Sequence, residues 1–145
     1  MTSEHLTAEI RIHRDGPIAW LIFDHEARRN AMTLSMWQSL PGLCAELDGD
    51  DSIRVIILRG AGETAFVAGA DISEFKMSRT GDTAPLYDQA TSAGYAAIEQ
   101  LTKPTLAMIH GACVGGGLAI SLSADIRYSA DDGRFALPPA KLGLG

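Results

Sequence analysis

The stretch Ala107-Met108-Ile109-His110-Gly111-Ala112-Cys113-Val114-Gly115-Gly116-Gly117-Leu118-Ala119-Ile120-Ser121-Leu122 decides how this chain is read. An apolar, strand-like run ends in three glycines, and an unbroken helix of small apolar residues follows. Without a Cβ, the backbone at 115–117 can come close to a ligand or to another segment. The helix that begins there turns its unpaired N–H groups and the positive end of its dipole toward the same point. Such a point suits a carbonyl oxygen that gains negative charge during a reaction. Taken alone, the pattern leaves open a close-packing turn or a phosphate-binding loop, although the spacing is not G-x-G-x-x-G.

A second segment narrows the choice. Ala65-Phe66-Val67-Ala68-Gly69-Ala70-Asp71-Ile72-Ser73-Glu74-Phe75 follows another strand-like run, Val55-Ile56-Ile57-Leu58-Arg59-Gly60. Together the two segments resemble the crotonase (enoyl-CoA hydratase/isomerase) superfamily, with its order of strand, F-x-A-G-A-D-I, helix, and a strand ending in G-x-x-x-G-G-G. Supporting matches are Arg29-Asn30-Ala31-Met32, Lys103-Pro104-Thr105, Ala124-Asp125-Ile126-Arg127-Tyr128, Phe135-Ala136-Leu137-Pro138 and Lys141-Leu142-Gly143-Leu144. The resemblance covers nearly all of the chain after Ile10. It implies an α/β fold built as a spiral of ββα turns rather than a doubly wound sheet.

The resemblance also implies a site. A CoA thioester would lie with its carbonyl oxygen between the backbone N–H groups of Ala70 and Gly116, a pair of donors that needs approachable main chain rather than a particular side chain. One such donor is worth about 3–4 kcal/mol of transition-state stabilisation. Ala68, Gly69, Asp71, Ile72, Ser73 and Gly115 would line the path of the ligand, with Arg28, Arg29 and Ala31 on the loop that passes the CoA. The family's hydratases use two glutamates to activate water and protonate the α-carbon. Those positions here are Ala119 and Pro139, neither of which can carry a proton through its side chain. Family members without these glutamates include decarboxylases of malonyl-type thioesters, naphthoyl-CoA-type ring-closing enzymes and proteins with no established activity. A catalyst that stabilises a thioester enolate and a non-catalytic CoA-thioester-binding subunit therefore both stay open. A Rossmann-like nucleotide binder lacks its spacing and its acidic ribose partner.

The remaining titratable residues suggest structural roles. His110 is expected to bond backbone, Asp125 to be a satisfied carboxylate at a helix end, and Asp71 to fix its loop; Glu63 and Glu74 read as surface charges. His5, His13 and His25 show no metal-ligand spacing. Trp20 and Trp37 read as core or rim packing. Coenzyme A enters only as part of the substrate, with no permanently bound cofactor and no metal.

The chain has 145 residues with Lys+Arg 12 against Asp+Glu 18, a formal charge of −6, and no basic patch to recommend nucleic acid. The longest nearly uncharged run, 101–124, is interrupted by Pro104, His110 and glycines and makes a poor membrane span. The first residues lack the pattern of a secretory signal, and Cys44 and Cys113 form no C-x-x-C, which points to buried reduced thiols and a cytoplasmic protein. The whole of 1–145 reads as one acyl-CoA-binding core. Family members are longer, with C-terminal helices that close the acyl pocket and support a trimer or hexamer, so the sequence reads as the N-terminal part of such a protein.

Along the chain, charged–apolar alternation at 9–14, a turn at Asp15-Gly16 and the apolar run 18–23 predict a hairpin. A charged loop at 24–30 leads to a helix ending at Leu47, capped by Thr33 or Ser35, with Ser35-x-x-Gln38 fitting a capping box. Pro41-Gly42 predicts a break or kink in it. A buried strand is expected at 53–59, a flexible surface loop at 77–84, and a helix at 85–101 with Leu86, Ala90, Ala93, Ala97 and Leu101 on its inner side. A strand at 105–109, a buried helix at 116–124, a strand at 126–130 and a short strand at 135–136 complete the expectation.

Overall fold

The computed structural model describes residues 8–70 and 83–137. Glu9–Asp15 (β1) and Ile18–Asp24 (β2) form the expected antiparallel hairpin, with Glu9 opposite Asp24 and Asp15 opposite Ile18. Gly16 opens the two-residue turn at φ +60°, the conformation that a hairpin of this length requires at that position. A one-turn helix at Glu26–Arg28 interrupts the charged loop, and the first long helix, α1, spans Leu34–Asp48.

The chain then repeats one pattern. Val55–Gly60 (β3) and Ala65–Val67 (β4) precede Thr83–Glu99 (α2); Thr105–Ile109 (β5) and Ala112–Val114 (β6) precede Gly116–Ser123 (α3); Ile126–Ser129 (β7) and Arg134–Ala136 (β8) begin another turn. The first strand of each pair joins a five-stranded sheet ordered β1-β2-β3-β5-β7, and the second joins a three-stranded sheet ordered β4-β6-β8. Beyond the hairpin every pairing between these strands is parallel. This is the expected spiral of ββα turns. The run 107–114 is thus two strands and not one. Gly111, at φ +61°, lets the chain cross between sheets where a Cβ would collide with the carbonyl of Thr64.

Three expectations about the helices are met only in part. Thr33, not Ser35, caps α1: its hydroxyl accepts from the Met36 N–H at 3.2 Å, and Met36 rather than Gln38 occupies the reciprocal position. The helix also runs through Pro41 without a break. Proline in a helix interior costs about 3 kcal/mol, but Met36, Trp37, Leu40, Cys44 and Leu47 are all buried on one stripe, and each large side chain so buried contributes about 1.5–3 kcal/mol. Packing wins. In α2 the inner stripe is Tyr87, Ala90, Gly94 and Ile98, whereas Leu86 is 45 % exposed. Trp37 sets this rotation, because its ring lies where Gly94 offers no side chain; a Cβ there would come within 2.8 Å of the ring edge. The loop expected at 77–84 lies outside the described residues up to 82, and Thr83 already opens α2. The strand expected at 53–59 is Val55–Gly60.

Lys103-Pro104-Thr105 proves to be a joint between helix and sheet. The Lys103 ammonium donates to the carbonyls of Leu47 (2.7 Å) and Asp50, at the C-terminal end of α1, where the helix dipole favours a cation. Asp48 accepts from the Thr102 N–H and hydroxyl, which hold its carboxyl below the usual range. Asp125 is the satisfied carboxylate expected of it: it accepts from the Thr105 N–H at 2.9 Å, and the Thr105 hydroxyl accepts in return from the Asp125 N–H.

Asn30 ties three segments together. It is 1 % exposed and left-handed at φ +60°. Its side-chain oxygen accepts from the His25 N–H at 2.8 Å, and its amide donates to the carbonyls of Ala61 (3.0 Å) and Ala65 (2.9 Å). Asn30→Ala orphans these buried groups and is expected to lower the unfolding free energy by about 3 kcal/mol in urea titration. Asn30→Gly keeps the left-handed backbone and should recover only the small part of that loss due to φ.

Candidate functional site

Ala70 and Gly116 come from different ββα turns, yet both line one cavity of about 170 Å³ together with Trp37, Tyr87, Asp88, Thr91 and Tyr95. Ala70 lies in the loop after β4. That loop is held by backbone pairing with the loop before α1: Met32 N–H donates to Gly69 at 2.7 Å, and Ala68 N–H donates to Arg29 at 3.2 Å. Gly69 takes φ +91° to make the turn. On the other side, Gly115 adopts φ +55°, ψ −114° and its N–H donates to Ala136 at 2.9 Å. Gly116 opens α3, where helix geometry leaves an N–H without an acceptor inside the helix. A Cβ on Gly117 would strike the carbonyl of Val67, so only glycine lets α3 start this close to β4.

The other expected site residues fall in two groups. Ala31 is buried, and its carbonyl lies 2.7 Å from the His25 ring nitrogen. Arg28 and Arg29 are exposed, and Arg29 is left-handed at φ +54°. Ala119 is half-buried one turn along α3; its N–H closes the first helical bond to Gly115, and it does not line the cavity. Asp71, Ile72, Ser73, Glu74 and Pro139 lie outside the described residues. The backbone bond expected of His110 is not formed at one ring nitrogen: its Nε2 is buried with no hydrogen-bond partner among the described residues. Cys44 and Cys113 are free and buried; burial pushes the Cys44 thiol up to about 11 and raises Cys113.

The side-chain wall of the cavity was not foreseen. Trp37, expected only to pack, forms part of it. Its ring meets that of Tyr95 edge-on, with centroids 5.0 Å apart. A Cβ added to Gly116 would lie 3.3 Å from the Trp37 ring and 3.4 Å from the Tyr95 hydroxyl, so both stand beside the Gly116 backbone. Burial, aided by the neighbouring Tyr87, pushes the Tyr95 phenol up to about 12 and keeps it a hydrogen-bond donor near neutrality. Asp88, Thr91 and Tyr95 share one face of α2 at intervals of three and four, a signal that was present in the sequence.

Residues 14–145 match the family model described as enoyl-CoA hydratase/isomerase. The chain belongs to this family. A crystal structure of an enoyl-CoA hydratase/carnithine racemase from Magnetospirillum magneticum superimposes with a TM-score of 0.87 at 40 % identity, over 92 % of this chain and 50 % of that one. The short-chain-enoyl-CoA hydratase of Clostridium acetobutylicum is 32 % identical over 133 residues, 92 % of this chain and 51 % of the relative. The peroxisomal Δ(3,5)-Δ(2,4)-dienoyl-CoA isomerase of Arabidopsis thaliana is 31 % identical over 146 residues, 93 % of this chain and 52 % of the relative. The chain thus spans about half the length of these enoyl-CoA hydratase/isomerase relatives, and its ββα spiral is the crotonase fold. Among the described residues no helix is long and apolar enough to cross a membrane.

The buried phenol gives a pH test. Between the ordinary tyrosine value near 10 and the folded value of about 12, the unfolded chain loses the Tyr95 proton before the folded one does. The stability this group supplies is intact below pH 10 and is lost as pH rises through 12. Tyr95→Phe should flatten that alkaline decline in urea titrations relative to the parent. Cys44 is common to both proteins and cancels; equal slopes would refute the burial argument.

Proposed function

We propose that this protein binds an acyl-CoA thioester and stabilises its enolate, with the N–H groups of Ala70 and Gly116 donating to the thioester oxygen. The observation that carries this reading is the convergence of these two backbone positions, distant in sequence, on one cavity. Family membership supports the substrate class, and the relatives' names place related chains in enoyl-CoA hydration, dienoyl-CoA isomerisation and fatty acid oxidation. Gly69, Ala68 and Gly115 shape the main chain around the ligand, and the exposed Arg28 and Arg29 offer charge to the CoA phosphates.

Charge moves in a defined way under this reading. As the Cα–H bond breaks, its electron pair passes into the thioester carbonyl, and the oxygen that becomes negative is met by fixed donors that need no reorganisation. Water addition needs further groups to activate water and deliver a proton. Ala119 and Pro139 cannot supply them, so two-glutamate hydration is not the chemistry we assign. Leu122, Ile126, Tyr128, Phe135 and Leu137 are large apolar side chains left 50–62 % exposed, of the kind that further polypeptide or a second copy covers; assembly into a homo-oligomer is part of this proposal.

Gly116→Val places a branched side chain between Trp37, Tyr95 and the ligand without a positive φ to strain it. It is expected to weaken butyryl-CoA binding at least tenfold in calorimetry, with the circular dichroism spectrum retained. Crotonyl-CoA hydration by the parent should run about 10²–10⁴-fold below a two-glutamate relative assayed in parallel. Unchanged binding by Gly116→Val would remove the site assignment, and brisk hydration would remove the argument from Ala119 and Pro139.

A further inference from the structure

We infer that Asp88, on the cavity-facing side of α2, is the acid–base group of this site, taking the Cα proton of the bound thioester and returning it. The inference rests on the acyl-CoA reading above and adds the identity of the proton carrier.

An oxyanion hole lowers the cost of an enolate but does not remove a proton; a base must lie within hydrogen-bond reach, directly or through one water. Among the described residues, the cavity that holds Ala70 and Gly116 is lined by five further residues, and Asp88 is the one carboxylate among those five. Trp37 has only an N–H donor, Thr91 a hydroxyl, and Tyr95 a phenol pushed up to about 12 that keeps its proton; Tyr87 is another phenol, 2 % exposed. None of these four accepts a proton readily near neutrality. At the position where the family carries its first glutamate stands Ala119, outside the cavity lining.

Helix geometry puts Asp88 on the face of α2 that lines the cavity. Asp88, Thr91 and Tyr95 recur at three and four residues, so they rise along one face in steps of about one turn, 5.4 Å. Tyr95 is fixed at the Gly116 end by its edge-on contact with Trp37, and the same face carries Asp88 two turns away toward the N-terminal end of α2. The Thr91 hydroxyl is turned back onto the Asp88 carbonyl at 2.9 Å and is thereby occupied. Among the described residues, the cavity lining thus combines the main chain of Ala70 and Gly116 with one carboxylate, Asp88.

The step balances without a co-reactant. The Asp88 carboxylate forms an O–H bond with the departing Cα proton; the C–H electrons move into the carbonyl, and the negative oxygen accepts from Ala70 and Gly116. Return of the proton from the carboxylic acid regenerates the thioester and the carboxylate. In D₂O the same cycle places deuterium at Cα.

The test uses butyryl-CoA in D₂O, with Cα exchange followed by mass spectrometry and affinity by calorimetry. The parent should bind and exchange. Asp88→Asn should bind with little change and exchange about 10²–10⁴-fold more slowly, whereas Asp88→Glu, which keeps the carboxylate, should retain measurable exchange. Asp88 is exposed, so the fold should survive both changes, checked by circular dichroism. Undiminished exchange in Asp88→Asn overturns the assignment. Binding by the parent with no exchange also overturns it while leaving the acyl-CoA reading in place, and absence of binding ends both.

Discussion

Two consecutive left-handed residues, Arg29 and Asn30, hold the loop on which the rest of the architecture leans. Bending the chain at 29–30 turns the Asn30 amide inward, where it serves the end of β2 and the loop between β3 and β4 at once. The same bend presents the Arg29 carbonyl and the Met32 N–H to the loop after β4. Asparagine suits the position because its short side chain tolerates left-handed backbone and offers both an acceptor and donors. Gly60 is the counterpart: a Cβ there would collide with the Asn30 amide and with the carbonyls of Ala65 and Phe66. One polar side chain and one absent side chain therefore set where Ala70 stands.

Glycines at Gly111 and Gly117 extend this logic to the next turn of the spiral. Each meets a carbonyl of the 64–67 segment where no side chain could fit. The start of α3 is thus pressed against the end of β4, and the backbone of Gly116 faces the loop of Ala70 across a small space. Helices α1 and α2 close that space through Trp37, whose ring packs over Gly94 on one edge and beside Gly116 on the other. Close approach of main chain, rather than any catalytic side chain, is what the fold secures first.

Much of this was legible in the sequence because backbone-determined features leave strong marks. Triple glycine before an apolar helix, a glycine between small residues after a strand, and Lys-Pro-Thr before a strand each reflect a steric or hydrogen-bonding demand that few residues meet. The parts that escaped depend on packing between elements. Nothing local told that α1 would continue unbroken through Pro41, since the opposing energy comes from a buried stripe of other residues. The rotation of α2 escapes local pattern because alanines, which pack anywhere, dominate it, while Trp37 on a different helix decides which side turns inward. Asp88, Thr91 and Tyr95 stood in the sequence at helical spacing but belonged to no family motif, so only their shared cavity set them apart.

The cavity's lining is of two kinds: main chain from 70 and 116, and side chains of α1 and α2. Main-chain groups are untouched by most point mutations, whereas the α2 face can be rewritten residue by residue without disturbing Asn30, Gly60 or Gly117. Polarisation of a carbonyl and choice of what happens next are then separately heritable traits. A scaffold divided in this way can drift among reactions while its oxygen-binding backbone stays constant, and a mutational library confined to 88, 91 and 95 would sample that drift directly.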